Sequence, residues 1–256
     1  MTSPVVTVTR TASITECALL LHARKMRHLP VVDEAGQLEG IVTDFEIRPR
    51  GRVVDGAFVP RDPDAGSLVA AQLTREVEVT RGPDDLLWDA LDALADSEQD
   101  VLLAVEGGRP VGILTEHDVV RLASQRPDLR APPPSPRGLP LIEAATPPLE
   151  ARSWMARKRA KHALVVRDGV LVGVLSLRDL AVEDYVEHFA SAGEAASEPI
   201  TLRLDVDGDW NPAQVAKLLY ERKIGCLPVV DATGRPVRLL TRRDLVVALA
   251  AERPAA

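Results

Sequence analysis

Four stretches of this chain share one pattern: GIVTDFE at 40–46, GILTEHD at 112–118, GVLSLRD at 173–179 and RLLTRRD at 238–244. A signature that returns at intervals of 61 to 72 residues marks a repeat architecture, and it constrains the fold before any single site is considered.

The copy beginning near Pro199 shows the order of elements most openly. A short strand, PITLRL, precedes NPAQVAKLLYERKIG, where Asn211 can cap a helix and Pro212 can open it. Val215, Leu218 and Leu219 fall at i, i+3 and i+4, on one helix face. A strand CLPVV, a turn DATGRP, a strand VRLL and a second helix from Thr241 complete the unit, which therefore reads β-α-β-β-α.

The other copies match it. Their helix faces are Cys17, Leu20 and Leu21, then Ala90, Ala93 and Leu94, then Ala151, Trp154 and Met155. Their second strands are HLPVV, VLLAV and HALVV, with turns DEAG, EGGR and RDGV. From Pro30 to Thr43 and from Pro228 to Thr241 is 13 positions, while Leu103 to Thr115 and Leu164 to Ser176 is 12. Hairpin turns absorb such a difference at little cost.

Between the copies lie two connectors rich in Pro, Gly and charge, at 50–66 and 124–138, neither with a hydrophobic period. The second is the stiffer, and residues 125–137 are taken as a Pro-rich linker between two pseudo-symmetric halves, 1–124 and 138–256. One β-α-β-β-α unit has too little core to stand alone, so the copies are expected to pair, first with second and third with fourth.

The chain's 256 residues are 46% hydrophobic and only 3% aromatic, which predicts cores of Val, Leu, Ile and Ala. No apolar run approaches the roughly 20 residues of a membrane span, and MTSPVVTVTRTAS lacks the apolar stretch of a secretory signal. A cytoplasmic location follows as the expectation. Cys17 and Cys226 sit in apolar contexts with no second ligand at metal spacing, as buried small hydrophobes do. The net charge of −7 argues against nucleic-acid binding. It is unevenly spread: residues 1–124 carry 12 Lys+Arg against 21 Asp+Glu, and the remainder 19 against 17. A polyanion would find its host in the second half.

The xLPVV strand, the G-h-h-[TS]-x-x-D signature and the element order resemble the CBS domain, here in four copies forming two Bateman modules. The resemblance covers residues 4–50, 67–123, 138–182 and 196–251. It implies a regulatory protein that takes adenosine-containing ligands (AMP, ADP, ATP or S-adenosylmethionine) in clefts between paired repeats. In that family the signature hydroxyl and acid hold ribose or phosphate, which points to Thr115 with Asp118, Ser176 with Asp179, and Thr241 with Asp244. Apolar residues of the Leu-Pro strand enclose the base, which points to Leu29 and Pro30, and to Leu227 and Pro228. The first copy departs, with Thr43 followed by Glu46, one methylene longer; Leu103 and Leu164 replace the proline, and Arg238 the glycine. Arg238 either crowds the backbone or places a cation at the cleft.

The signature has its own physical logic. A hydroxyl that ends a strand and opens a helix lies beside unpaired N–H groups where an anion is favoured. A carboxylate one turn on is acceptor-only and suits paired ribose hydroxyls. The same [ST]-x-x-[DE] spacing also makes a capping box, in which the acid folds back on the N-cap N–H. For Glu46 the capping box is the preferred reading; for Asp118, Asp179 and Asp244 the repeat context favours ligand. Arg178, Arg242 and Arg243 bring guanidinium groups to helix N-termini, where they oppose the dipole unless an anion is near or the acidic half pairs with them. His117 is either a phosphate contact or a surface histidine.

Other features lead nowhere catalytic. LDVDGDWN spaces Asp205, Asp207 and Asp209 like an EF-hand, but Trp210 takes the glycine position and Ala216 the glutamate position. RKRAKH at 157–162 is expected on the polar face of the third copy's first helix, without aromatics, as a solvated face or else as a contact for ligand phosphate or the acidic half. No nucleophile triad or phosphate loop is found. The expectation is a non-enzymatic sensor that binds no metal, signals to an effector protein and is able to homodimerise; the rival is a constitutive scaffold with empty, degenerate clefts.

Overall fold

The computed structural model describes residues 1–131, 138–180, 189–198, 201–203 and 211–253. Within them the β-α-β-β-α order occurs four times. The first copy runs β1 (Val8–Thr9), α1 (Ile14–Ala23), β2 (His28–Val32), β3 (Leu38–Thr43) and α2 (Asp44–Ile47). A hairpin, β4 (Gly51–Val54) and β5 (Ala57–Pro60), and two single-turn helices, α3 (Pro63–Gly66) and α4 (Ala70–Leu73), lead to the second copy. That copy is β6 (Thr80–Arg81), α5 (Leu87–Asp96), β7 (Val101–Glu106), β8 (Arg109–Thr115) and α6 (Glu116–Ala123). The third is β9 (Leu141–Glu143), α7 (Pro148–Arg157), β10 (His162–Arg167), β11 (Val170–Ser176) and α8 (Leu177–Leu180). After α9 (Ala192–Ala195) comes the fourth: β12 (Leu202–Arg203), α10 (Pro212–Glu221), β13 (Cys226–Val230), β14 (Pro236–Thr241) and α11 (Arg242–Ala250). Most of the prolines of the linker, in 132–137, and the Asp205–Trp210 stretch lie outside the described residues.

Each copy forms a three-stranded sheet whose middle strand is parallel to the first and antiparallel to the third. Pro30, Leu103, Leu164 and Pro228 pair with Ile41, Ile113, Val174 and Leu239, so the copies superpose in register. All four middle strands carry a bulge at the same place, Val31/Val32, Ala104/Val105, Val165/Val166 and Val229/Val230. The length difference sits in the turns, 33–37 and 231–235 against 107–108 and 168–169.

The buried helix stripe is turned from the expected one. Cys17, Ala18 and Leu21, then Ala90, Leu91 and Leu94, then Val215, Ala216 and Leu219 are buried at i, i+1 and i+4; α7 buries Pro148, Ala151 and Met155. Leu20, Ala93, Trp154 and Leu218, expected inside, are only half-buried. At about 100° per residue, i+1 and i+3 lie equally far from the centre of the row between i and i+4, on opposite sides of it, so the spacing alone does not decide which of the two is buried.

The connector at 50–66 is also structured. Asp55 and Gly56, both with positive φ (51° and 79°), make the two-residue turn that right-twisted strands favour, between VV and AF. Phe58 from this hairpin packs into the first copy's core with Ile14, Leu21, Val42 and Ile47.

The chain divides into two compact units, Met1–Thr115 and Glu116–Ala256. In the first, the Leu38 N–H donates to Gly108 O across the turns of copies one and two (2.8 Å). In the second, the Leu171 N–H donates to Gly234 O across the turns of copies three and four (3.0 Å). Helix α6, which carries the acid of the second signature, belongs to the second unit and packs on α10 and α11.

The signature glycine has a steric cause. In copies one to three another segment pairs with the third strand at the next residue: Ile41 with Arg75, Ile113 with Thr2, Val174 with Ser197. A Cβ at Gly40 would collide with Thr74 and the Arg75 carbonyl, at Gly173 with Ala196, and at Gly112 with the Met1 side chain. Among the described residues no segment crosses Leu239 in this way, and there Arg238 is tolerated.

Candidate functional site

The signature hydroxyls all sit at one structural corner. Thr43, Thr115, Ser176 and Thr241 pair with the first residue of their middle strand: His28, Val101, His162 and Cys226. The first N–H of the following helix then reaches the residue just before that strand. Asp44 N–H donates to Arg27 O (3.0 Å), Leu177 N–H to Lys161 O (2.9 Å) and Arg242 N–H to Gly225 O (3.4 Å). In copies one and four, strand pairing and helix start thus bring the hydroxyl and its acid together beside the strand's first residue.

In the first unit this corner is closed by its own side chains. Glu46 Oε2 accepts from the Thr43 N–H (3.0 Å) and hydroxyl (2.6 Å), and Glu46 Oε1 from Arg75 (3.3 Å). This is the capping box expected of Glu46. His28, 8% exposed, meets Asp100 at 3.1 Å between Nε2 and Oδ1. Thr115 ends β8 half-buried in the same unit.

The second unit is built from cations. His162 begins β10, half-buried, with Arg178, Arg242 and Lys161 as charged neighbours and Asp179 as the acidic one. Burial first, and then the three cations, push its pKa down from 6.5 to about 4, so the ring is neutral at ordinary pH. Asp100 precedes β7 in the first unit; the equivalent residue before β13 is Gly225, where a Cβ would run into the His162 ring. Arg242 Nε donates to Ile224 O (3.2 Å), which holds that guanidinium in place. Glu116, the first residue of α6, is 9% exposed and lies 3.9 Å from both Lys161 Nζ and Arg243 Nη1. Lys161, His162, Arg178, Arg242, Arg243, Asp179 and Glu116 therefore form one continuous charged cluster.

The expected residues divide accordingly. Arg178, Asp179, Arg242 and Arg243 join the cluster. Asp244 folds back on Thr241, its Oδ2 accepting from the N–H and the hydroxyl at 2.6 Å each, so it too closes a capping box. Asp118 lies 3.9 Å from Arg121, and His117 is exposed and stacks on Tyr220 with ring centroids 4.9 Å apart. Leu29 and Leu227 are fully buried in the cores, with Pro30 and Pro228 buried beside them. Burial pushes Cys17 up to about 11 and Cys226 to about 12, the behaviour of inert core thiols.

RKRAKH is not on a helix face. Only Arg157 is in α7; Lys158 caps it, Arg159 turns with φ of 52°, and Lys161 and His162 enter the charged cluster. The helix ends earlier than expected, at Arg157, and no glycine marks its end. Lys25 and Lys223 occupy the equivalent left-handed position after α1 and α10. A separate open groove of about 520 Å3, lined by Val247, Ala251, Arg253 and Arg130, lies at the opposite end of α11.

The repeated sheet, bulge and hydroxyl corner correspond to a known family. The CBS domain model matches residues 1–49, 79–125 and 197–251, more than half of the chain. The chain belongs to the CBS-domain family. The third CBS copy falls outside the matched stretches, yet it has the same strand order, bulge and register as the others. A solved structure from Methanocaldococcus jannaschii, likened to g-AMPK, shares 19% identity and a TM-score of 0.73 over 97% of both chains. Another, from Pyrococcus horikoshii, shares 21% and 0.66, also over 97% of both. At these identities the likeness is one of fold. An inosine-5'-monophosphate dehydrogenase from Thermoplasma acidophilum is 32% identical over 106 residues, 41% of this chain, and the chain spans about one fifth (20%) of that relative. No helix among the described residues is long and apolar enough to cross a membrane.

Proposed function

We propose that this CBS protein is a non-catalytic sensor whose second repeat pair binds an adenine nucleotide, AMP, ADP or ATP, and that occupancy shifts a conformational equilibrium read by an effector protein. The observation that carries the reading is the cluster of Lys161, Arg178 and Arg242 around a neutral His162, with Asp179 alongside. Phosphate answers the cations through charge-assisted hydrogen bonds, and the ribose hydroxyls answer the carboxylate of Asp179. A ligand acts only through unequal affinity for two states, so the helices that carry these groups, α8 and α11, are the elements to move.

The first pair supports the other reading, a scaffold position with no ligand. Glu46 is spent on Thr43 and Arg75, and the residue after the hydroxyl is Asp44 where the second pair has Leu177 and Arg242. S-adenosylmethionine, whose sulfonium is cationic, fits the cation cluster less well than a phosphate does.

Thermal unfolding with AMP, ADP, ATP and S-adenosylmethionine tests the reading. At 100 dissociation constants a single site stabilises the folded chain by about 2.7 kcal/mol. Stabilisation by a nucleotide that is absent in Asp179→Ala and in Arg178→Gln supports the sensor; no stabilisation by any of them, in protein free of copurified nucleotide, supports the scaffold.

A further inference from the structure

The hairpin of β4 and β5 stands outside the repeat pattern and outside the site described above. Among the described residues it is the one two-stranded sheet, and it follows the first copy alone. An isolated hairpin is marginal in water, but this one is anchored. Phe58 is 9% exposed in the first copy's core, Val53 packs against that core beside it, and both strands contact α1. Strand alternation then turns Arg52, Val54, Ala57 and Val59 to the other face, as the cross-strand pairs Arg52–Val59 and Val54–Ala57. All four are exposed, Val54 at 41% and Val59 at 48%. The solvent side of an antiparallel sheet ordinarily carries polar residues, yet three of these four positions are apolar. The local charge also departs from its surroundings. Between residues 48 and 61 four arginines, Arg48, Arg50, Arg52 and Arg61, stand against one acid, Asp55, whereas residues 1–124 together carry 12 Lys+Arg and 21 Asp+Glu.

We propose that the outer face of this hairpin is a docking surface for an acidic, apolar segment of a partner protein, one that carries Asp or Glu beside aliphatic or aromatic side chains. Val54, Ala57 and Val59 take the partner's apolar side chains, and Arg52, paired with Val59 across the hairpin, takes a carboxylate in a charge-assisted contact. The arginine excess gives the surface its sign, attracting acidic segments and opposing basic ones. A second copy of this chain fits less well, because hairpins laid face to face set arginine against arginine. Four side chains also cover far less than the roughly 800 Å² per partner of a stable interface, so the contact belongs to the weak, transient class. Anchoring through Phe58 holds the face in shape before anything binds, which limits the ordering lost on docking. None of the four outer side chains takes part in the hydroxyl corners, so the docking face and the nucleotide reading stand or fall separately.

The test pans a displayed library of random peptides on the full chain, then measures the enriched peptides by fluorescence anisotropy on wild type, on Val54→Ser/Val59→Ser and on Arg52→Glu. The expected peptides combine acidic with aliphatic or aromatic residues and bind in the micromolar range. Each variant should weaken them by about tenfold or more, and so should rising salt in part. The three substituted positions are exposed, so both variants should unfold at the wild-type temperature. Should the double variant not fold, Arg52→Glu decides alone. Enrichment confined to basic peptides, or to peptides that bind both variants as tightly as wild type, overturns the proposal, as does enrichment of none. A wild-type dimer that the double variant dissociates in analytical ultracentrifugation also overturns it and gives the face to a second copy. Thermal shifts with AMP, measured on the same proteins, should be equal in wild type and both variants, so failure of the docking face is told apart from failure of the nucleotide reading.

Discussion

Replacing Gly40 by alanine should damage the first unit far more than the same change at Gly112. At Gly40 the new Cβ runs into Thr74 and, more seriously, into the Arg75 carbonyl, which is backbone and cannot rotate away. Relief requires the crossing segment to lift, and Ile41 and Arg75 exchange two hydrogen bonds of 2.9 Å across that contact. Overpacking costs about 1–3 kcal/mol and each lost hydrogen bond about 1 kcal/mol, so Gly40→Ala should destabilise by roughly 2–4 kcal/mol after the favourable loss of glycine entropy. At Gly112 the obstacle is the end of the Met1 side chain, with Sδ at 2.8 Å, which swings aside for under about 1 kcal/mol. Gly173→Ala, against Ala196 Cβ at 2.5 Å and Ser197 O at 3.2 Å, should lie between. Urea unfolding followed by circular dichroism ranks the three. Equal losses at Gly40 and Gly112, or a Gly40→Ala protein within about 0.5 kcal/mol of wild type, would refute the crossing-segment account of the signature glycine.

Three further outcomes follow from the same geometry. His162 is held neutral with its pKa near 4, so its share of stability is complete above about pH 6.5 and is lost as pH falls from there through about 4, on the order of 3 kcal/mol. Acid titration of His162→Gln should be flatter than wild type across that window, and an identical profile would count against the buried-ring account. Leu219→Ala, at a fully buried position of α10, should cost about 2–5 kcal/mol by thermal unfolding, and Leu218→Ala, half-buried next to it, clearly less; the reverse order would restore the i, i+3, i+4 face. Cys17 and Cys226, buried and pushed up to about 11 and 12, should resist iodoacetamide at pH 8 until denaturant is added, and prompt labelling of either would contradict their burial.

What the sequence discloses here is what depends on local spacing. The strand-turn-strand-helix order and the 12- or 13-residue step from Pro30 or Leu103 to the hydroxyl are short-range facts, and the sheet register reproduces them residue by residue. The capping box at Glu46 is equally local. Asp244 has the same spacing, but repeat context pointed to a ligand, whereas the chain's own N-cap takes the carboxylate first. The hairpin at 51–60 did carry a signal, Asp-Gly between apolar pairs, which the surrounding Pro, Arg and Asp residues masked. The reason for Gly40 was invisible, because Arg75 crosses it from 35 residues away along the chain. The meeting of Lys161 and Glu116 beside His162 is hidden for the same reason. They come together only when copies three and four pair and α6 packs beside them, and pairing partners leave no mark in the period of a single helix or strand.

The central claim is that the charged corner of the second pair holds a nucleotide, and a crystal structure of the full chain grown with AMP tests it most directly. The account predicts the phosphate within hydrogen-bond reach of Arg178 and Arg242, and the ribose at Asp179. It also predicts that the corners at Glu46 and Asp244 keep their capping boxes. AMP bound instead at the Thr43–Glu46 corner, or a second pair that stays empty in crystals saturated with the nucleotide, would contradict it.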